Sequence, residues 1–114
     1  MLALEQAGRL PADPWRLDAL VVPLVPAAMV PAQVLVRDLR RAALVADLPY
    51  ADRTLNGHMK AAARAGARTV VILGEQELAG GQAAVRDMAA RRQHPVPLAE
   101  VVDEVRRVTS GVAP

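Results

Sequence analysis

Cysteine is absent from the 114 residues, which removes disulfides, thiolate zinc sites and cysteine nucleophiles together. Serine occurs once, as Ser110 in the C-terminal tail, so a serine triad is not expected. The two histidines, His58 and His94, stand 36 residues apart with no HExxH or comparable ligand pair, which leaves a metal site unsupported. Gly74, Gly80 and Gly81 fit neither GxxxxGK[ST] nor GxGxxG, and a phosphate-binding glycine loop is excluded on pattern. Long apolar runs are missing too: the stretch from Ala19 to Val36 is broken by Pro23, Pro26 and Pro31. It reads as neither a signal peptide nor a membrane span. With no catalytic residues, no metal ligands and no membrane segment in view, the chain reads as a soluble binding module, compatible with a cytoplasmic setting.

Phenylalanine is also absent, and Trp15 and Tyr50 are the only large aromatics, although 53% of residues are hydrophobic. A core of Ala, Val and Leu is therefore expected, in one domain large enough to close without staples. Lysine is nearly absent: 13 of the 14 basic residues are arginine, in a chain of net charge +2. The guanidinium fork suits phosphate and carboxylate. A charge of +2 is equally met by arginine as an ordinary surface residue, since it falls short of a dedicated nucleic-acid binder's footprint.

Residues 2 to 8, LALEQAG, look like the last turns of a helix closed by Gly8, and RLPADPWRL reads as a linker with two prolines. Residues 1–17 are accordingly separated from a domain spanning 18–110. DALVVPLV (18–25) is a continuous apolar run of strand length, the mark of a strand covered on both faces in a parallel sheet. From Ala27 to Ala43, Val30, Val34, Leu35 and Leu39 recur at helical steps, with Pro31 tolerable in the first turn. LVADLPY (44–50) suits an edge strand because of Pro49. A helix over Leu55 to Ala65 can be capped by Asp52 or Thr54 and is ended by Gly66. RTVVILG (68–74) is the clearest strand. EQEL then makes a short helical turn, QAAVRDM (82–88) and QHPVPL (93–98) two strands joined by AARR, and Ala99 to Thr109 a last helix with a valine stripe. Alternating strand and helix predicts an α/β fold with right-handed crossovers.

Ligands of such sheets usually sit beyond the carboxyl ends of the parallel strands. Pro49 to Arg53 and Gly74 to Glu77 follow those ends here, so Glu75 and Glu77 are expected on the same rim as Arg53, with Lys60 about two helical turns further on. A carboxylate there can accept from the two N–H donors of an unstacked guanine while arginine holds the adjacent phosphate. The plainer account of Glu75 and Glu77 is a solvated pair favoured by a helix N-terminus. Arg86 and Asp87 are neighbours on a strand, so only one can face a ligand on a given side of the sheet.

The run RTLNGHMKAAARAGARTVVILGEQELAGGQAAVRDM (53–88), followed by QHPVPLAEV, resembles the C-terminal anticodon-binding domain of class II aminoacyl-tRNA synthetases, most closely the histidyl-tRNA synthetase family. Its pattern of R-S-L-K-x-Q-M-K-x-A, G-A, a strand, G-E-x-E-L and V-x-D-L is matched by Arg53, Leu55, Met59, Lys60, Ala62, Gly66, Ala67, Gly74, Glu75, Glu77, Leu78, Val85 and Asp87. The resemblance implies an α/β fold in three layers, with a five-stranded mixed sheet flanked by helices. It implies a partner, the anticodon loop of histidine tRNA, contacted by Arg53, Lys60, Glu75, Glu77 and Arg86. ATP and magnesium would serve only a catalytic domain of the same protein, absent from this chain, and a homodimer of the full-length enzyme is left open. The sequence departs from the pattern at Asn56, His58 and Ala63, where the family usually has lysine, glutamine, and aspartate or asparagine, and Arg91 and Arg92 occupy a hairpin where a glycine turn is commoner. A paralogue that keeps the fold for protein interaction without tRNA is the alternative these departures leave open.

Overall fold

The computed structural model describes residues 15–49 and 54–110. The expected helix end at 2–8, most of the following linker, the alternative cap Asp52 and the candidate Arg53 lie outside the described residues.

Five strands and four helices follow in order: β1 (Leu17–Pro23), α1 (Met29–Arg41), β2 (Ala46–Asp47), α2 (Leu55–Ala65), β3 (Ala67–Leu73), α3 (Glu75–Ala79), β4 (Gln82–Asp87), β5 (Arg92–Pro97) and α4 (Val101–Thr109). The sheet has the order β2-β1-β3-β4-β5. β1 pairs in parallel with β2 and β3, whereas β4 is antiparallel to both β3 and β5. This is the five-stranded mixed sheet that the resemblance implies. Its centre holds β1 and β3, whose apolar runs have no polar face because helices cover both sides.

One side of the sheet packs Val21, Val71, Leu73, Val85 and Val96 against Leu35 and Leu39 of α1 and Val101 and Val105 of α4. The other side packs Leu20, Val22, Val70 and Ile72 against Ala62 and Met59 of α2. Both clusters consist of aliphatic side chains without an aromatic ring, as the composition requires. α2 lies mainly over β3 and β1, and every residue of β5 except Val96 is exposed.

The local chemistry explains the element ends. Thr54 caps α2, its hydroxyl accepting from Gly57 N at 3.1 Å. Gly66 closes α2 at φ 72°, the left-handed region open to glycine at no steric cost. The edge strand expected over 44–50 shrinks to two residues. Asp47 turns its carboxylate onto the Leu48 N–H at 2.9 Å, which ends the ladder before Pro49. α1 begins later than Ala27 because Pro26–Ala28 form a 3-10 turn first. It stops at Arg41, and Ala43 at φ 68° reverses the chain. The buried Asp18 side chain accepts from Val45 N at 2.7 Å, and the buried Thr69 hydroxyl donates to the Asp18 carbonyl at 2.6 Å. These two bonds pin β2 and β3 to the start of β1.

Candidate nucleic-acid interface

Parallel pairing of β1 with β2 and β3 brings the carboxyl ends of these strands to one rim, and α3 starts there. Glu77 in its first turn folds back, and its Oε1 accepts from Gly74 N at 3.0 Å. A Cβ at position 74 would stand 2.5 Å from that oxygen, so a side chain there would require the carboxylate to shift. Glu75 is exposed and has no hydrogen-bond partner among the described residues. Thus one of the two acids caps a helix, as the plainer account has it, and the other stands open to solvent.

Lys60 and Arg86 meet elsewhere. α2 runs back across the sheet from the rim, so its second half lies beside the far end of β4. Between them is a cleft of about 530 Å³, lined by Met59, Lys60, Ala63 and Gly66 on one side, by Arg86, Met88 and Arg91 on the other, and closed by Trp15. Three cations and two thioethers face a volume that no carboxylate lines among the described residues. Arg86 Nε is buried without a hydrogen-bond partner in the described structure. Guanidiniums are rarely left this way, because a buried unpaired donor loses its hydration with nothing in return. Asp87, its neighbour, does not line the cleft; it accepts from Ala89 N and Ala90 N at 3.0 and 3.2 Å and holds the hairpin turn.

The candidate residues within the described structure therefore occupy two places on the sheet. Arg86 pairs with Val70, four residues of strand before Gly74, a separation of about 13 Å at the rise of a β-strand. Lys60 belongs with Arg86, not with Glu75 and Glu77. His58 is buried, only 2% exposed, and shares the sheet-facing side of α2 with Ala62 one turn later. Ala63, one of the departures from the family pattern, lines the cleft floor, and Asn56 is exposed nearer the rim.

Trp15 and Met88 were not legible as site residues. Arg91 was visible only as an oddity of the hairpin. The structure gives that oddity a form: Arg91 has φ 57°, a left-handed conformation that costs a non-glycine residue about 1 kcal/mol or more. Its side chain reaches the cleft from there.

On the other side of the sheet, Glu104 of α4 bridges Arg107 and His94 of β5, with His94 Nε2 at 3.1 Å. The hydrogen bond from Arg107 holds the Glu104 carboxyl below its ordinary value of 4.5, against the opposing effect of burial and with a smaller contribution from His94. The pair fastens the last helix to the edge strand.

Comparison with known proteins agrees with this fold. Residues 18–108 match the family described as anticodon binding domain. The chain is 40% identical over 107 residues to a histidine-tRNA ligase of Corynebacterium urealyticum, covering 94% of this chain and 25% of the relative. It is 44% identical over 106 residues to that of Nocardia farcinica, covering 93% and 25%. The chain thus spans about a quarter of the length of these relatives. Among solved structures, histidyl-tRNA synthetase from Nostoc sp. superposes with a TM-score of 0.75 at 28% identity over 86% of this chain and 23% of that one. The apo enzyme of S. aureus gives 0.73 at 30%, covering 80% and 23%. The RNA binding domain of a threonyl-tRNA synthetase from Cryptosporidium parvum, at 17% identity and a TM-score of 0.70, shares the fold. With the match running from the first strand to the last helix, the chain belongs to the anticodon binding domain family.

Proposed function

We propose that this domain holds the anticodon loop of histidine tRNA for a histidine-tRNA ligase working in the cytoplasm, whose catalytic domain lies outside this chain. The observation that carries the reading is the cleft in which Lys60, Arg86 and Arg91 surround apolar walls without a countercharge. Cations of this kind neutralise phosphates, and the thioether and indole walls suit the faces of unstacked bases. The histidine assignment rests on relatives of 40 and 44% identity.

In this reading Lys60 and Arg86 hold phosphate, Glu75 accepts from the Watson–Crick edge of an anticodon base, and Glu77 offers its second oxygen while the first caps α3. Arg53 is a further phosphate contact. The two places about 13 Å apart are joined by a few unstacked nucleotides of one loop. ATP and magnesium serve the catalytic part, and this domain takes neither.

Fluorescence anisotropy of a labelled histidine anticodon stem-loop, titrated with the chain at two salt concentrations beside a loop of changed anticodon, tests the proposal. Salt-sensitive binding with preference for the histidine loop is expected. Binding that ignores the anticodon, or no binding, overturns it and favours a protein-interaction role.

A further inference from the structure

We infer that Trp15 is a stacking platform for an unpaired base of the bound RNA, an inference that rests on the cleft being the RNA site. The residue lies just before β1, yet its place is fixed by α2: Arg16 N and Leu17 N both donate to the Gly66 carbonyl, at 2.7 and 3.0 Å. This pair of bonds sets the indole at the C-terminal end of α2, across from the β4–β5 hairpin. The Arg68 guanidinium lies over the ring, 5.7 Å from its centroid, and Arg68 is itself steered by Asp87, whose Oδ1 is 3.4 Å from its Nε. Arg68 does not line the cleft, whereas Trp15 does. The guanidinium therefore backs the ring from outside, and another part of the indole borders the cleft.

What surrounds the ring defines its ligand. Met59 and Met88 supply soft, polarisable walls, and Lys60, Arg86 and Arg91 supply positive charge within the same 530 Å³. A flat π-system joined to an anion satisfies both, which is the chemistry of a nucleotide. An arginine behind an indole also keeps the ring from turning, so a base meets a surface already in place. Stacking of this type is sequence-tolerant because every base has a π-face. Trp15 is thus assigned to affinity, and discrimination between anticodons is left to Glu75.

The chain contains one tryptophan, so its emission reports this residue alone. Adding the histidine anticodon stem-loop should quench that emission with the same midpoint as the anisotropy titration. In loops carrying one abasic position at a time, the quench should vanish at a single position. Trp15→Leu should weaken binding to cognate and changed loops alike, on the order of 5- to 150-fold, while Trp15→Phe should stay within a few-fold of the parent. Circular dichroism checks folding; should Trp15→Leu fail to fold, the quench in the parent and the abasic series decide. Anisotropy that reports binding with unchanged emission and an unaffected leucine variant overturns the platform and leaves the RNA reading standing. Absence of binding by anisotropy removes both.

Discussion

At the scale of single residues the cleft separates two kinds of contact. Lys60 is exposed and reaches the cleft from α2 with a flexible stem, so Lys60→Ala should weaken every stem-loop alike and lower the slope of log affinity against log salt by about one. Glu75→Ala should instead cost about 1–3 kcal/mol for the histidine loop and little for a changed one, as expected for a lost base contact; parallel anisotropy titrations distinguish the two, and equal losses for all loops would remove Glu75 as a reader. Arg91 combines both ledgers. Arg91→Gly should raise the urea midpoint by an amount equivalent to about 1 kcal/mol, because glycine sits at ease at φ 57°, while lowering RNA affinity a few-fold. A variant that is more stable and binds less well would show strain retained for a ligand. Lys60 and the two acids were visible in the sequence because their types stand out against an apolar background, and Arg86 only through the family resemblance. The sequence could not show that Trp15 joins them, since that depends on a carbonyl at Gly66 some fifty residues away.

Among the elements, α2 and the β4–β5 hairpin form the walls of the cleft, while α4 and β5 lock the opposite side. Glu104 couples the latter pair, and its pH dependence has a definite sign. Its carboxyl is held below 4.5 in the fold, chiefly by Arg107, so the folded state binds this proton less readily than the unfolded chain. The contribution is complete above 4.5 and is lost as pH falls through the depressed value. Glu104→Gln should melt below the parent at neutral pH, and the gap should close well below 4.5; a gap that persists in acid would assign the loss to packing. Element order was legible because α1 and α4 show an apolar stripe at helical spacing and each central strand an unbroken apolar run. α2 was read to the residue, since Gly66 and Thr54 mark its ends chemically. The second strand was overextended because nothing local says that Asp47 will spend its carboxylate on the next N–H.

For the molecule as a whole, the absence of phenylalanine means that stability is spread over many small contacts. Leu39, fully buried between α1 and the sheet, is one of the larger pieces available. Leu39→Ala should cost about 2–5 kcal/mol, a large share of the total for a domain of this size, and chemical denaturation reads it directly. The overall architecture was legible because strand and helix alternate, but the cleft was not. The rule that ligands gather at strand ends locates Glu75, whereas the cleft arises from a helix too short to cover the whole sheet. The margins of that sheet remain to be considered. Along β2, the Arg40 guanidinium donates to the Ala46 carbonyl at 3.0 Å, filling a position where an intruding strand would bond. Along β5, Pro95 and Pro97 have no N–H to offer. Both borders thereby offer fewer free hydrogen-bonding groups to a visiting backbone, which disfavours pairing from copy to copy. Contact between copies is then left mainly to exposed apolar side chains, among them Met29, Val30 and Val34 on α1 and Val45 beside β2.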